Sequence, residues 1–431
     1  MEIYKKVKFV QSILNSCLKN ADGIRWGNVL TLEIWRMCSS KFNLVKLLAG
    51  TLLYEFNMLS FLSAKSDILI EYSIKQWNRK DYDAIIQKLE SELLHYDKLI
   101  VNDKVLKYTN LFKIFLIMYY FFKIRKLSVR EKFIAANLVA RRKGLVPKIK
   151  RLLKNNKYKL VITFCDAHIT SNLVAQVANQ MGITTVTLQH GQYVYYEPGT
   201  EVVHCETYEN FISDYMLVWG QYTIDELSKA GIDSKRLLIS GSLKENTIPI
   251  VKLDEVKKTF GVVLSNAAMT DSNIRLIQIA NEIAEALKYK YIIRAHPLDN
   301  INKYNEYINS DLLLLPMHRK LPFESYVSKV DFNIIHLSSV YLELLEIGSP
   351  VFVYVDEFNK GKLGEYNEIF ESIDEFFKKF AVFQKDPFAW QKSMLNKHNY
   401  YVEKDGPRLY RERIYTLRLL SIYKERRDSY K

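Results

Sequence analysis

Apolar and polar positions follow two different rhythms along this chain, and the change comes near Lys159. Before it, apolar residues recur at helical spacing, as in Leu44, Leu47, Leu48 and Leu52, then Ile85, Ile86, Leu89, Leu93 and Leu94. Residues 1–150 therefore read mostly as helix, although Ile68-Leu69-Ile70 also fits a buried strand. From Lys159 onward, short apolar runs alternate with amphipathic stretches, which is the pattern of βαβ units around a parallel sheet. Strands are expected at 160–164, 184–188, 215–219 and 236–239, and helices at 170–181 and 222–230. After a polar connection at 245–254 the alternation restarts, with strands at 261–264, 291–294, 312–315, 332–335 and 351–354 and helices at 272–287 and 339–347. Two doubly wound α/β halves in succession imply a cleft, with ligands bound outside the carboxyl ends of the strands. The expected domains are 1–247 and 248–400, followed by a C-terminal helix within 401–431 that packs back on the first lobe.

Composition agrees with a globular chain of more than one core: 431 residues, 48% apolar and 26% charged, with no low-complexity tract. Cys17, Cys38, Cys165 and Cys205 are too far apart for paired metal or redox motifs and read as reduced thiols of a cytoplasmic protein. The first residues lack the apolar core of a signal peptide. The net charge of +14 is local: Lys123 to Lys159 holds fourteen Lys and Arg against Glu131, which leaves +13 there. The apolar run Ile114 to Phe122 just before it is bounded by Lys113 and Lys123, whereas a spanning helix needs ~20 apolar residues. Two readings of residues 111–159 stand side by side, contact with an anionic membrane surface and a solvated helical face. Nothing accompanies the charge that would mark a nucleic-acid binder. Asp81-Tyr82-Asp83 matches a D-x-D metal motif, but it opens a helical pattern, so Asp81 is expected as an N-cap and no metal site is expected.

Candidate chemistry sits where strands end. The strand at 184–188 runs into Gln189-His190-Gly191, which delivers an imidazole to the cleft as a general base, beside a glycine that permits a tight turn. Asp166 and His168 follow the strand at 160–164 and are candidates for the acceptor side or for helix capping. Glu197 and Glu201 are possible secondary bases, and Tyr193, Tyr195 and Tyr196 are candidates for stacking on a sugar. In the second half, Arg294-Ala295-His296-Pro297 ends a strand, with His296 placed to donate to a phosphate and Arg294 the weaker candidate. His336-Leu337-Ser338-Ser339 then opens a helix, where hydroxyls and free amides make a phosphate cradle. Glu343, one turn on, is placed to accept from ribose hydroxyls.

Taken together, R-x-H-P, then S-S-x-x-x-E and G-x-P on a strand-helix-strand unit resemble the donor lobe of GT-B glycosyltransferases. The likeness is to cytidine-nucleotide users: bacterial sialyl and Kdo transferases, and teichoic-acid glycerophosphotransferases, whose strand-end H-G histidine is similar to His190-Gly191. Tyr215 to Gly220, Ala230-Gly231-Ile232 and Ile239-Ser240-Gly241-Ser242 likewise resemble the end of the first lobe in capsule enzymes. The resemblance covers roughly residues 158–360 and implies a GT-B α/β fold with two Rossmann-like domains. It implies transfer from a CMP- or CDP-linked donor, with UDP possible, to a lipid-linked or oligosaccharide acceptor of a surface polysaccharide. His190 would be the base, His296, Ser338, Ser339, Arg294 and Gly241 would contact the donor, and Glu343 its ribose; no tightly bound cofactor is implied. The double-acid-glycine motif of sialyl and Kdo transferases is absent. The alternatives are a nucleotide-sugar epimerase of the same fold and a non-catalytic polysaccharide-assembly protein.

Overall fold

The parallel strands of this chain are short, mostly apolar or β-branched segments buried on both faces, which is the requirement of a parallel sheet covered by helices. The computed structural model describes all residues except 1, 19–22, 40–42, 62–65, 74–78, 107–111, 196–206, 245–247, 266–268, 297–298, 316–320, 358, 360–366 and 430–431. By its internal contacts the chain divides into two units: residues 1–244 with 403–431, and residues 245–402.

The sheet of the first unit contains β1 (Tyr54–Phe61), β2 (Ile68–Glu71), β3 (Asp97–Leu106), β4 (Leu160–Thr163), β5 (Thr184–Leu188), β6 (Tyr215–Val218) and β7 (Leu237–Ile239). Its order is β1-β3-β2-β4-β5-β6-β7, antiparallel between β1 and β3 and parallel elsewhere. Alternation along the buried strands sorts side chains between two cores. Leu69 and Val161 join the N-terminal helices, while Ile68, Ile70, Leu160 and Ile162 join Tyr410, Ile414 and Leu417 of the C-terminal helix Gly406–Ser429. The second unit has β8 (Thr259–Val263), β9 (Lys290–Arg294), β10 (Phe332–Ile335), β11 (Val351–Tyr354) and β12 (Ile369–Phe370), all parallel, in the order β12-β11-β10-β8-β9.

Residues 1–150 are mostly helical, as expected, and the Ile68-Leu69-Ile70 run is in β2; β1 and β3, which interleave Glu, Asn, Asp and Lys with their apolar residues and so hide a strand, also join the sheet. Two expectations need correction. The run at 312–315 is not a strand. It is a short 3₁₀ turn, Ser310–Leu312, and a single bridge from Leu313 to Tyr291, and Leu314 is exposed rather than buried on both faces. Asp81 is not an N-cap: Arg79 holds that position, and Asp81 lies in the first turn of the Lys80–Ser91 helix, paired with Arg79.

The chain returns to the first unit through a close backbone crossing. Glu403 N donates to Trp219 O at 2.8 Å, and Arg418 Nε donates to both carboxylate oxygens of Asp67 at 2.8 Å. Gly241 has φ +69°, and a Cβ there would stand 2.6 Å from Glu403 O and 2.7 Å from Gly406 Cα. This corrects the donor-binding expectation for Gly241, which lies in the first unit and whose glycine character is required by packing. Gly406 is as tight, since a Cβ would meet Ser242 O at 2.0 Å. Gly406→Ala should therefore cost about 1–3 kcal/mol of overpacking strain, read as a lowered urea midpoint; an unchanged midpoint would mean that the crossing relaxes freely.

Candidate functional site

In the first sheet, β2 is followed in sequence by β3 on one side and β4 on the other, so the strand order switches between β2 and β4. Ligands of such sheets bind at that point, outside the carboxyl ends. Glu71, Phe164 to Asp166 and Gln189 to Gly191 stand at the ends of β2, β4 and β5.

His190 is the central group there, 8% exposed and enclosed by rings. Tyr208 stacks on it with centroids 5.2 Å apart and planes at 21°, Phe164 lies at 5.1 Å, and Tyr82 meets it edge-on at 5.6 Å. Its Nδ1 is 3.4 Å from Leu188 O. A carbonyl only accepts, so this contact favours the tautomer with the proton on Nδ1 and the lone pair on Nε2. Nε2 has no hydrogen-bond partner among the described residues. Burial pushes the imidazole pKa down to about 4; the Leu188 carbonyl opposes this, and the Lys244 and Arg79 charges reinforce it. The ring is thus neutral at physiological pH.

The turn carrying His190 is held by Gln189, whose role the sequence did not announce. Its Oε1 accepts from Trp219 N at 2.7 Å, its Nε2 donates to Gly191 O at 2.9 Å, and Trp219 Nε1 donates back to Gln189 O at 3.1 Å. Tyr208 Oη adds a bond to Gly191 O at 2.9 Å. Arg79 forms a forked pair with Asp81, Nε to Oδ1 at 2.8 Å and Nη2 to Oδ2 at 2.5 Å, and lies over Tyr82 at 4.2 Å.

The second sheet has the same kind of switch, with β9 and β10 on either side of β8. His296 follows β9, and His336 to Ser339 follow β10. A buried network fixes the second turn. His336 Nε2 donates to Asp356 Oδ1 at 3.1 Å, Ser272 Oγ donates to Asp356 Oδ2 at 2.6 Å, and Ser265 Oγ donates to Leu337 O at 2.7 Å. Ser338 Oγ accepts from Val340 N at 3.3 Å, while Ser339 is the exposed N-cap of the Val340–Glu346 helix and makes no side-chain cap bond. Glu343 lies half-exposed in the first turn of that helix.

No protein-family model matches the chain, and no curated protein matches it in sequence. Solved structures do match. A candidate UDP-N-acetylglucosamine 2-epimerase from Listeria monocytogenes superposes with a TM-score of 0.50 at 14% identity, covering 84% of this chain and 98% of that one. The fold is GT-B. UDP-GlcNAc 2-epimerase from Neisseria meningitidis bound to UDP-GlcNAc gives 0.46 at 13% identity over 81% and 98%, and the calicheamicin glycosyltransferase CalG4 gives 0.43 at 11% over 81% and 97%.

Within this GT-B chain the expected site residues fare differently. His190 follows β5, next to the switch between β2 and β4, and His296, Ser338, Ser339 and Glu343 stand at or just beyond strand ends in the second unit. Arg294 is occupied, since Nη1 donates to Leu321 O at 3.1 Å and the guanidinium lies over Phe323 at 5.3 Å and Tyr326 at 5.5 Å. Asp166 is not free for catalysis. Its Oδ1 accepts from Thr163 Oγ1 at 2.7 Å and Ser213 Oγ at 3.0 Å, and its Oδ2 from Ile212 N at 2.8 Å and Ser213 N at 2.6 Å. This buried tie holds the loop leading into β6. Glu71, unremarked in the sequence, is its fully buried neighbour and accepts from Ser73 N at 2.9 Å and Ser171 Oγ at 2.5 Å. Burial raises both carboxyl pKa values, and the Asp166 charge adds to the rise at Glu71. Tyr193 is buried edge-on against Tyr208 at 5.5 Å and so presents no free face to a sugar. Glu197, Glu201 and Tyr196 lie outside the described residues. Among the described residues there is no cluster of groups able to hold a metal and no helix long and apolar enough to cross a membrane.

Proposed function

We propose that the protein is a transferase that moves a sugar or polyol-phosphate unit from a nucleotide-activated donor, CMP- or CDP-linked, to a hydroxyl of a surface-polysaccharide acceptor. The observation that carries this reading is the neutral, ring-enclosed His190, whose Nε2 lone pair is unclaimed by described residues next to a strand-order switch. In this reading the acceptor hydroxyl passes its proton to Nε2 as its oxygen attacks the donor carbon or phosphorus. An anionic ligand that pairs with Arg79 or Lys244 removes charges that depress the imidazole, raising its basicity as the site fills.

The second unit holds the donor. Ser338, Ser339 and the first amides of the Val340–Glu346 helix meet the phosphate, His296 donates to it, and Glu343 accepts from the ribose. Preorganised donors of this kind stabilise the charge that grows on the leaving nucleotide. The acceptor is lipid-linked or an oligosaccharide, presented at the inner face of the plasma membrane.

Ser339→Ala and Glu343→Gln should each weaken nucleotide binding about 3- to 30-fold, the loss of one hydrogen bond to a charged group. Calorimetry with CMP, CDP, UDP and GDP reads this directly and ranks the bases. Unchanged affinity for all four would remove the second-unit assignment.

The name of the Listeria neighbour supports a second reading, a nucleotide-sugar epimerase. Such an enzyme converts soluble nucleotide sugar with no acceptor present, whereas the transferase releases nucleotide only when acceptor is added. Absence of binding to any nucleotide would favour the non-catalytic assembly protein instead.

A further inference from the structure

The Phe112–Lys123 helix buries one side and leaves the other uncovered in an unusual way. Lys113, Ile117 and Tyr120 form the buried stripe, at spacings of four and three residues, and Lys113 Nζ donates to Thr51 O at 2.9 Å and Tyr54 O at 3.0 Å. On the opposite side Phe112, Phe115, Met118, Tyr119 and Phe122 recur at the same helical spacing, each between 51% and 72% exposed. Water-facing surfaces rarely keep so much contiguous apolar area unless something binds there. The residues that follow turn the chain into the antiparallel Val129–Lys143 helix, and at this tip Arg125, Lys126, Val129 and Arg130 are exposed.

The charge on this hairpin selects its occupant. Residues 112–130 contain Lys and Arg and no acidic residue. A second copy docking isologously would set the same cations against each other, whereas anionic lipid headgroups neutralise them. Twelve residues at about 1.5 Å each reach about 18 Å, well short of a bilayer core of about 30 Å. The helix is therefore suited to lie in the plane of the interface, rings toward the acyl chains and the basic tip among the headgroups.

Four further cations of the basic stretch lie away from this tip. Arg142 is buried, its Nη2 3.8 Å from Glu33, and Lys150, Arg151 and Lys154 line a separate hollow with Gln180 and Met181. We infer that the exposed face of the Phe112–Lys123 helix, with Arg125, Lys126 and Arg130 at its tip, docks the protein in-plane on an anionic lipid surface. The inference sharpens the membrane setting of the proposed transferase and rests on that setting, not on the donor.

Cosedimentation of the full chain, without nucleotide, with vesicles of equal parts phosphatidylglycerol and phosphatidylcholine tests it against vesicles of phosphatidylcholine alone. Wild type should partition onto the anionic vesicles at least about tenfold more strongly. Phe115→Ser with Phe122→Ser should lower that binding at least about tenfold at an unchanged melting temperature, because both rings are already exposed. Arg125→Glu with Lys126→Glu should remove the preference for anionic lipid. Wild type left in the supernatant with both vesicles, or wild-type binding by the double-serine variant, would overturn the proposal. So would a dimer in sedimentation velocity that the double-serine variant dissolves while vesicle binding is absent. Nucleotide calorimetry on the same samples reports separately on the donor assignment, so either can fail without the other.

Discussion

His190→Asn should lower turnover about 10²- to 10⁴-fold while nucleotide affinity stays within about twofold, the range expected when a general base is lost and ground-state binding is not. Asparagine can keep the bond toward Leu188 O but offers no basic nitrogen where Nε2 now stands. Steady-state rates and calorimetry on one preparation separate the two quantities, and equal damage to both would end the division of labour proposed between the units. The acid side of the profile adds a second signature. With the folded pKa at about 4 against an ordinary 6.5, the free protein should keep its base form far below the usual histidine range. An acid limb of kcat/KM at about 6.5 would show that the ring is solvated rather than enclosed. The same depression carries stability that is complete above pH 6.5 and is lost as pH falls toward 4, so acid unfolding of wild type should be eased in that window.

The second large effect is on folding. Asp166→Ala should destabilise the protein by about 3–5 kcal/mol, because it strands the buried amides of Ile212 and Ser213 and the hydroxyls of Thr163 and Ser213. Urea unfolding measures this, and a loss below about 1 kcal/mol would show that water replaces the carboxylate. Its buried neighbour Glu71 has a pH signature of its own. Its folded pKa is raised above the ordinary 4.5, so the stability it contributes is full below 4.5 and is lost as pH rises through the folded value. Glu71→Gln removes that loss and should match or exceed wild type at pH 8 while falling behind it in acid. A variant equally weakened at both pH values would show that the carboxylate is ionised and well solvated by its donors.

Much of the architecture was legible before any coordinates. The strands 184–188, 332–335 and 351–354 were expected residue for residue, because short runs rich in β-branched and apolar residues alternate there with amphipathic helical stretches. The histidine turn after β5 and the serine-rich turn after β10 were legible for the same reason, since a strand end locates its next residue on the ligand side of a doubly wound sheet.

The two-unit α/β framework and the strand-end addresses of His190, His296, Ser338 and Ser339 follow from local periodicity. Which groups at such addresses are free depends on long-range packing. Asp166 and His190 both follow strands, yet the carboxylate is consumed by four donors, three of them from Ile212 and Ser213, while the imidazole keeps a nitrogen uncommitted among the described residues. The edge strand β1 and its partner β3, the ring enclosure from Tyr82 and Tyr208, and the crossing of Gly241 with Gly406 were equally hidden. Each depends on neighbours brought together from separate stretches of the chain, and hydrogen-bond satisfaction, desolvation and close packing belong to such neighbourhoods, which periodicity along a chain does not encode.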